Sequence, residues 1–382
     1  MKNIKIFILY IYTLPTFVAL LLIYNYGHLI GDFRTYYYNM DIVDLVYTCL
    51  IYLTPLLILY LFIKSFEGKY LLKPKTEIYF NKYILYLFMF ILLITLCFGA
   101  VQIGQPNVGF AAPLRAIIVK INPYVLLLII SFSNLTIRKF AFCILVCLFY
   151  GYMQHSLQGY LITFFSVMVF ILNRKNLSTD KFILLLMLPI LLSHPLMEIL
   201  TYIYQLRSEA RGNNFNSDEV IFLSIGRISA ISSYLYIKDF IHNFSGVSQY
   251  FSIGLVQDKL LGFSFFNITS PSDLFNKDIL GITDYSIFLG INGFIYYLFQ
   301  SSIVTGLINI LFILFILLVI YNLIPYYIQN TRLPLFFLVL YLPMLSSDIW
   351  ELSMLLQTLI VINIGFWLFK NIYMIFKDII NE

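Results

Sequence analysis

Ten apolar runs dominate the chain, at roughly 6–24, 42–63, 83–101, 111–133, 140–154, 158–172, 182–201, 301–323, 334–347 and 351–369. About 20 apolar residues in a helix cross the hydrocarbon layer of a membrane. In lipid every backbone N–H and C=O must be paired internally, so runs of this kind become α-helices. With 61% hydrophobic and 11% charged residues, the 382-residue chain has more apolar surface than a soluble core can hide. Its mean hydropathy is +0.88. The expected fold is all-α, a polytopic integral membrane bundle of about 10–12 spans with one large external loop. It reads as a single domain, with seven spans in 1–201, the loop in 202–300 and three spans in 301–382. No internal repeat and no Pro-rich or Ser-rich linker divides it.

Charge sets the orientation, because short cytoplasmic loops collect Lys and Arg. The segments 64–82, 138–139 and 174–181 carry such charges on every second connection, as do both chain ends. Both termini are then cytoplasmic. Lys2 and Lys5 before an apolar run resemble a signal peptide, but the run is span-length and no small-residue cleavage site follows, so it is expected to stay as the first helix. The net charge of +5 is spread over inward loops and leaves no nucleic-acid footprint. Cys49, Cys97, Cys143 and Cys147 all lie in apolar runs with no His or further Cys at metal spacing, and read as small residues of the membrane core. Gln154 to Gly159 form a tight turn between two short spans, which suggests a hairpin stopping short of the outer face.

The cations divide unevenly. On this topology twelve lysines and three arginines lie inside, whereas five arginines (34, 115, 207, 211 and 227) and four lysines (120, 238, 259 and 277) lie outside or near the outer face. The wealth of Ile, Lys, Asn, Tyr and Phe suggests an AT-rich genome, in which Lys codons are abundant and an outward Arg needs a reason. Arg is the better phosphate ligand, since its planar fork donates two parallel hydrogen bonds and keeps its charge. The outward set therefore reads as a phosphate or diphosphate site.

Three constellations carry that reading. Arg115 opens the fourth span and Lys120 lies one and a half turns deeper; they are lipid-phosphate ligands or snorkel to the headgroups. Arg207 and Arg211, spaced i, i+4 on a helical continuation of the seventh span, suit clasping a diphosphate; the bland alternative is a solvated turn with Glu209. Gly226-Arg227 lies in an apolar segment, 220–244, that begins after Ser217, Asp218 and Glu219 and ends at Ser245-Gly246, as a capped helix does. A lone Arg there must find an anion or remain desolvated. On one continuous helix Arg227, Tyr234 and Lys238 share a stripe, with His242 slightly around the barrel. The alternative is that 220–237, with its single charge, crosses the membrane itself. His194 and Glu198 form an i, i+4 pair that is better read as structural than as a metal or proton site. Neither HExxH nor Asp-x-Asp occurs, so nothing in the sequence points to a metal. Outward acids, including Glu219, Asp239, Asp284, Asp348 and Glu351, offer no evident base.

Taken together, the late external loop with its arginines, Arg115 at the entry to the fourth span, the Arg207/Arg211 pair, Gly226-Arg227 and the run from Gly290 to Gly293 resemble the Wzy-type O-antigen polymerases, or oligosaccharide repeat-unit polymerases. The likeness covers most of the chain in topology. It departs from the Arg-x10-Gly spacing of some members, because Asp218, Phe222 and Lys238 occupy those positions. The resemblance implies a GT-C-like bundle in the bacterial cytoplasmic (inner) membrane, with its active site facing the exterior. It implies that undecaprenyl-diphosphate-linked oligosaccharide repeat units are joined into O-antigen or capsular polysaccharide, with no cofactor and no nucleotide sugar, alongside a chain-length regulator and a flippase. Arg115, Arg207, Arg211 and Arg227 are then the diphosphate ligands and His242 the base, with Lys120, Tyr234 and Lys238 as accessories. Three rivals remain: an O-antigen ligase, a lipid-linked glycan carrier, and a structural subunit whose arginines touch anionic lipid headgroups.

Overall fold

The structure is a computed structural model that describes residues 2–67, 77–101, 107–175, 177–191, 193–211, 217, 220–240, 302–327, 329–341, 343–344 and 350–381, with isolated positions between 252 and 299. Among these residues there is no strand beyond a single bridge between His28 and Tyr37. Nine of their helices are long and apolar enough to cross a membrane, or ten if one bent pair counts as a span, as expected of a multi-pass membrane protein.

In chain order the helices are α1 (Lys2–Tyr26), α2 (Ile42–Ser65), α3 (Glu77–Phe98), α4 (Ala112–Ile121), α5 (Pro123–Ser131), α6 (Ile137–Gln154), α7 (Leu157–Arg174), α8 (Thr179–Leu191), α9 (Ser193–Arg211), α10 (Val220–Ser229), α11 (Ile231–Phe240), α12 (Ile303–Leu323), α13 (Arg332–Tyr341) and α14 (Trp350–Asn381). The fourth span expected at 111–133 is matched by one apolar stretch of span length, Ala112–Ser131, in which α4 and α5 meet at a local break. Asn122 takes a positive φ of 49° and its Oδ1 accepts from the N–H groups of Tyr124 and Val125 at 3.2 and 3.3 Å. Pro123 then starts α5, where a missing N–H costs nothing. Every residue of α5 is buried, which fits its apolar character on all sides. It packs on α6 and α7, whose hairpin turns at a left-handed His155 and a Ser156 cap. Gly159 leaves room for the Tyr124 ring there, since a Cβ would stand 2.3 Å from the phenol oxygen.

Of the expected span at 334–347, the described residues form the ten-residue α13, entirely buried against α1, α5 and α12; residues 342 and 345–347 lie outside the described residues. The first residue of α13, Arg332, expected on a cytoplasmic loop, is fully buried. The guanidinium donates to the carbonyls of Tyr321 and Asn322 at 2.9 and 2.7 Å, where the C-terminal end of α12 carries partial negative charge. Both Tyr321 and Tyr326 rings lie 4.7 Å from it. The anchor ties the start of α13 to the end of α12. Helices α8 and α9 lie at the periphery, with His194 and Glu198 exposed and 3.7 Å apart.

Candidate functional site

The connection between α1 and α2 is a compact loop. Gly27 and Gly31 take positive φ angles of 69° and 71°, which only glycine adopts without strain. Backbone bonds from Leu29 N to Tyr36 O (2.9 Å), Tyr36 N to Phe33 O (3.0 Å) and Tyr38 N to Gly27 O (3.0 Å) fold the loop back on itself. Its 3-10 turn, Gly31–Phe33, lies on α10.

The contact is backbone against backbone. A Cβ on Gly226 would stand 2.4 Å from both the Cα and the N of Gly31, so neither position accommodates a side chain without separating the two elements. This approach sets Asp32, next to Gly31, against Arg227, next to Gly226. Asp32 Oδ1 accepts from Arg227 Nη2 at 2.8 Å and Oδ2 accepts from Nε at 3.3 Å, a side-on fork. The Asp32 side chain is only 10% exposed and that of Arg227 35%. Arg227 therefore has the anion that its sequence context demanded, supplied by the chain itself. The ring of Tyr204, on α9, lies 6.0 Å from the guanidinium carbon. A cavity of about 20 Å³, room for a single water, lies among Ile30, Asp32, Phe33, Gly226, Arg227, Ala230, Ser232 and Ser233.

The continuous helix expected over 220–244 is corrected. The chain bends by 77° at Ala230, whose φ is 51°, and continues as α11. Serines around the break take up the exposed backbone groups: Ser233 Oγ donates to Ala230 O at 2.7 Å, and Ser232 Oγ accepts from Ile30 N at 3.0 Å. The Tyr52 hydroxyl donates to Ser229 O at 2.5 Å. In an apolar surrounding, such partners are what permits a broken helix. Residues Ile231 to Ile237 are all buried, so this part of the expected external loop is docked into the bundle against α1 and the 3-10 turn.

The bend dissolves the single stripe of Arg227, Tyr234 and Lys238. Tyr234 is buried with its ring 5.7 Å from that of Tyr52. Lys238 sits 3.8 Å from Asp239, and Asp239 accepts from the Tyr38 hydroxyl at 2.5 Å. Burial first, and then this hydrogen bond and the carboxylate charge, hold the Tyr38 phenol above its usual range.

Arg207 and Arg211 lie in the last two turns of α9, on the helical continuation the sequence predicts. They are three and seven positions beyond Tyr204, so their backbone positions fall on the side of α9 that meets Arg227. Glu209 accepts from Gln205 at 2.9 Å. Arg115 is elsewhere: α4 packs on α3, α5 and α14, and the Arg115 guanidinium donates to the carbonyl of Val108. Lys120 is exposed on the same helix. Thus the structure brings the Arg227 and α9 elements together and leaves Arg115 and Lys120 apart. His242, Glu219, Asp284, Asp348 and the run from Gly290 to Gly293 lie outside the described residues. Among the described residues no group of three or more His, Cys, Asp and Glu side chains is placed to hold a metal.

Sequence reasoning missed Asp32, Tyr204 and the serines. Two signals were available: Gly31-Asp32 in a short loop, and the serines at 229, 232 and 233, excessive for a plain apolar helix. A comparison with family models, curated proteins and solved structures finds no match.

Proposed function

We propose that this protein joins lipid-diphosphate-linked oligosaccharide repeat units on the outer side of a bacterial cytoplasmic membrane, the end carrying loop 27–41 facing outward. One observation carries the reading: Tyr204 touches Arg227, so two further arginine positions of α9 share the side of the helix that meets it. A hydroxyl oxygen of the acceptor sugar attacks the anomeric carbon of the donor. The bond from that carbon to the phosphate oxygen breaks and the diphosphate leaves with the electron pair. Negative charge thus grows on the leaving group, where preoriented guanidinium groups stabilise it more than water does. Arg suits this better than Lys because it meets two oxygens at once. The acceptor proton passes to a base, for which His242 is the residue proposed from the sequence.

The test is a gel of surface glycan from cells lacking the gene, re-supplied with wild type, Arg211→Gln or Arg227→Lys at matched membrane levels. Deletion should leave single capped repeat units, wild type should restore the ladder, and neither variant should. Loss of all capped material assigns a ligase or carrier, and an unchanged ladder refutes the glycan reading.

A further inference from the structure

We propose that Asp32 is a positioning residue for Arg227: it grips one edge of the guanidinium so that the remaining N–H donors are presented to an anionic diphosphate on the Tyr204 side. The inference rests on the reading above for the identity of the anion. Of the five guanidinium N–H donors, Asp32 takes two, and the Tyr204 ring flanks the group at 6.0 Å. Two parallel bonds to one carboxylate stop the planar group from rotating, which a single contact would not do.

The alternative is that Asp32 merely occupies the anion's seat and is displaced by it. The surroundings of Asp32 oppose that. Its neighbour Gly31 rests backbone-to-backbone on Gly226, Ile30 N is held by Ser232 Oγ at 3.0 Å, and the Phe33 ring stacks on Tyr236 at 4.8 Å. These contacts fix the backbone from which Asp32 projects, and its side chain is only 10% exposed, so the carboxylate has little open space to swing into, whereas an anion approaching from α9 disturbs none of the three. A held guanidinium also spares the incoming diphosphate the entropy of ordering that side chain.

A purely structural salt bridge makes the opposite prediction for a charge swap, because a staple works in either orientation and a ligand does not. Undecaprenyl diphosphate binding is measured on the purified full-length protein, with thermal melting recorded in parallel. Asp32→Asn, which keeps the shape of the side chain, should melt close to wild type and bind about tenfold more weakly, the loss of one charge-assisted bond's worth of order. The double variant Asp32→Arg with Arg227→Asp should regain the melting behaviour of wild type without regaining binding. Wild-type affinity in either variant overturns the proposal, as does a wild type that does not bind the lipid. If the swap fails to accumulate, Asp32→Asn decides alone. Should wild type bind the lipid in an Asp32-dependent way while gene deletion leaves surface glycan unchanged, the polymerase reading falls and the positioning role stands.

Discussion

Replacing Gly226 by Ala should destabilise this protein, against the usual sign for a helix. In an ordinary helix interior the change stabilises by about 0.5–1 kcal/mol, because Gly is the more disordered residue when unfolded. Here the new methyl would lie 2.4 Å from Gly31 Cα and N and 3.0 Å from the carbonyl carbon of Ile30. Non-bonded carbons rest at about 3.5–4.0 Å, so the two backbones must separate by about 1 Å or more. All three atoms are backbone, so no rotamer change relieves the overlap. Overpacking of this kind costs about 1–3 kcal/mol. The separation also strains the bond from Ile30 N to Ser232 Oγ, 3.0 Å long, and the fork between Asp32 and Arg227. Each lost bond adds about 1 kcal/mol, the ion pair's share being reduced by the one-third exposure of Arg227. The net is a loss of about 2–4 kcal/mol after the helix gain is subtracted. Denaturant titration of the purified protein measures it, and a double-mutant cycle with Ser232→Ala locates it: if the clash already parts Ile30 N from Ser232 Oγ, the double variant loses less stability than the two single losses summed. Equal or greater stability in Gly226→Ala would refute the backbone contact and the site geometry derived from it.

Two other perturbations probe the remaining polar anchors. Arg332→Lys should lower stability by about 2–4 kcal/mol, since a point charge does not reproduce two carbonyl bonds flanked by two rings, and thermal melting indistinguishable from wild type would contradict the anchor's role. Tyr38 supplies a pH test. Because its phenol is held above the ordinary value of 10.0, the folded state keeps the proton, so this stabilisation is complete below about pH 10 and is lost as pH rises through the raised folded value. Tyr38→Phe should therefore lose stability less steeply above pH 10, by up to about 1.4 kcal/mol per pH unit; an unchanged alkaline slope counts against the bond to Asp239.

The membrane class and most of the helices were legible in the sequence because they depend on a local quantity, the length of each apolar run. Helix α9 also follows from local pattern, and with it the shared side of Arg207 and Arg211. The run at 220–244 misled because hydropathy measures transfer from water and does not register where a backbone breaks. Asn122-Pro123 and the serines from 229 to 233 marked breaks that only make sense once partners for the freed backbone groups are known. At the end of α10 one such partner is the Tyr52 hydroxyl, about 180 residues away in the chain.

The sequence by itself determined that this chain lives in a membrane as a helical bundle, and that Arg227, alone in an apolar segment, must meet an anion. Which anion it meets was decided only in three dimensions. Two glycines without side chains let the first loop and α10 touch, and that contact sets Asp32 beside Arg227. Neither glycine advertises its partner, because an absent Cβ leaves no chemical pattern in a sequence. The carboxylate of the pair is shielded while the guanidinium stays one-third exposed, so geometry more than desolvation sets the pairing.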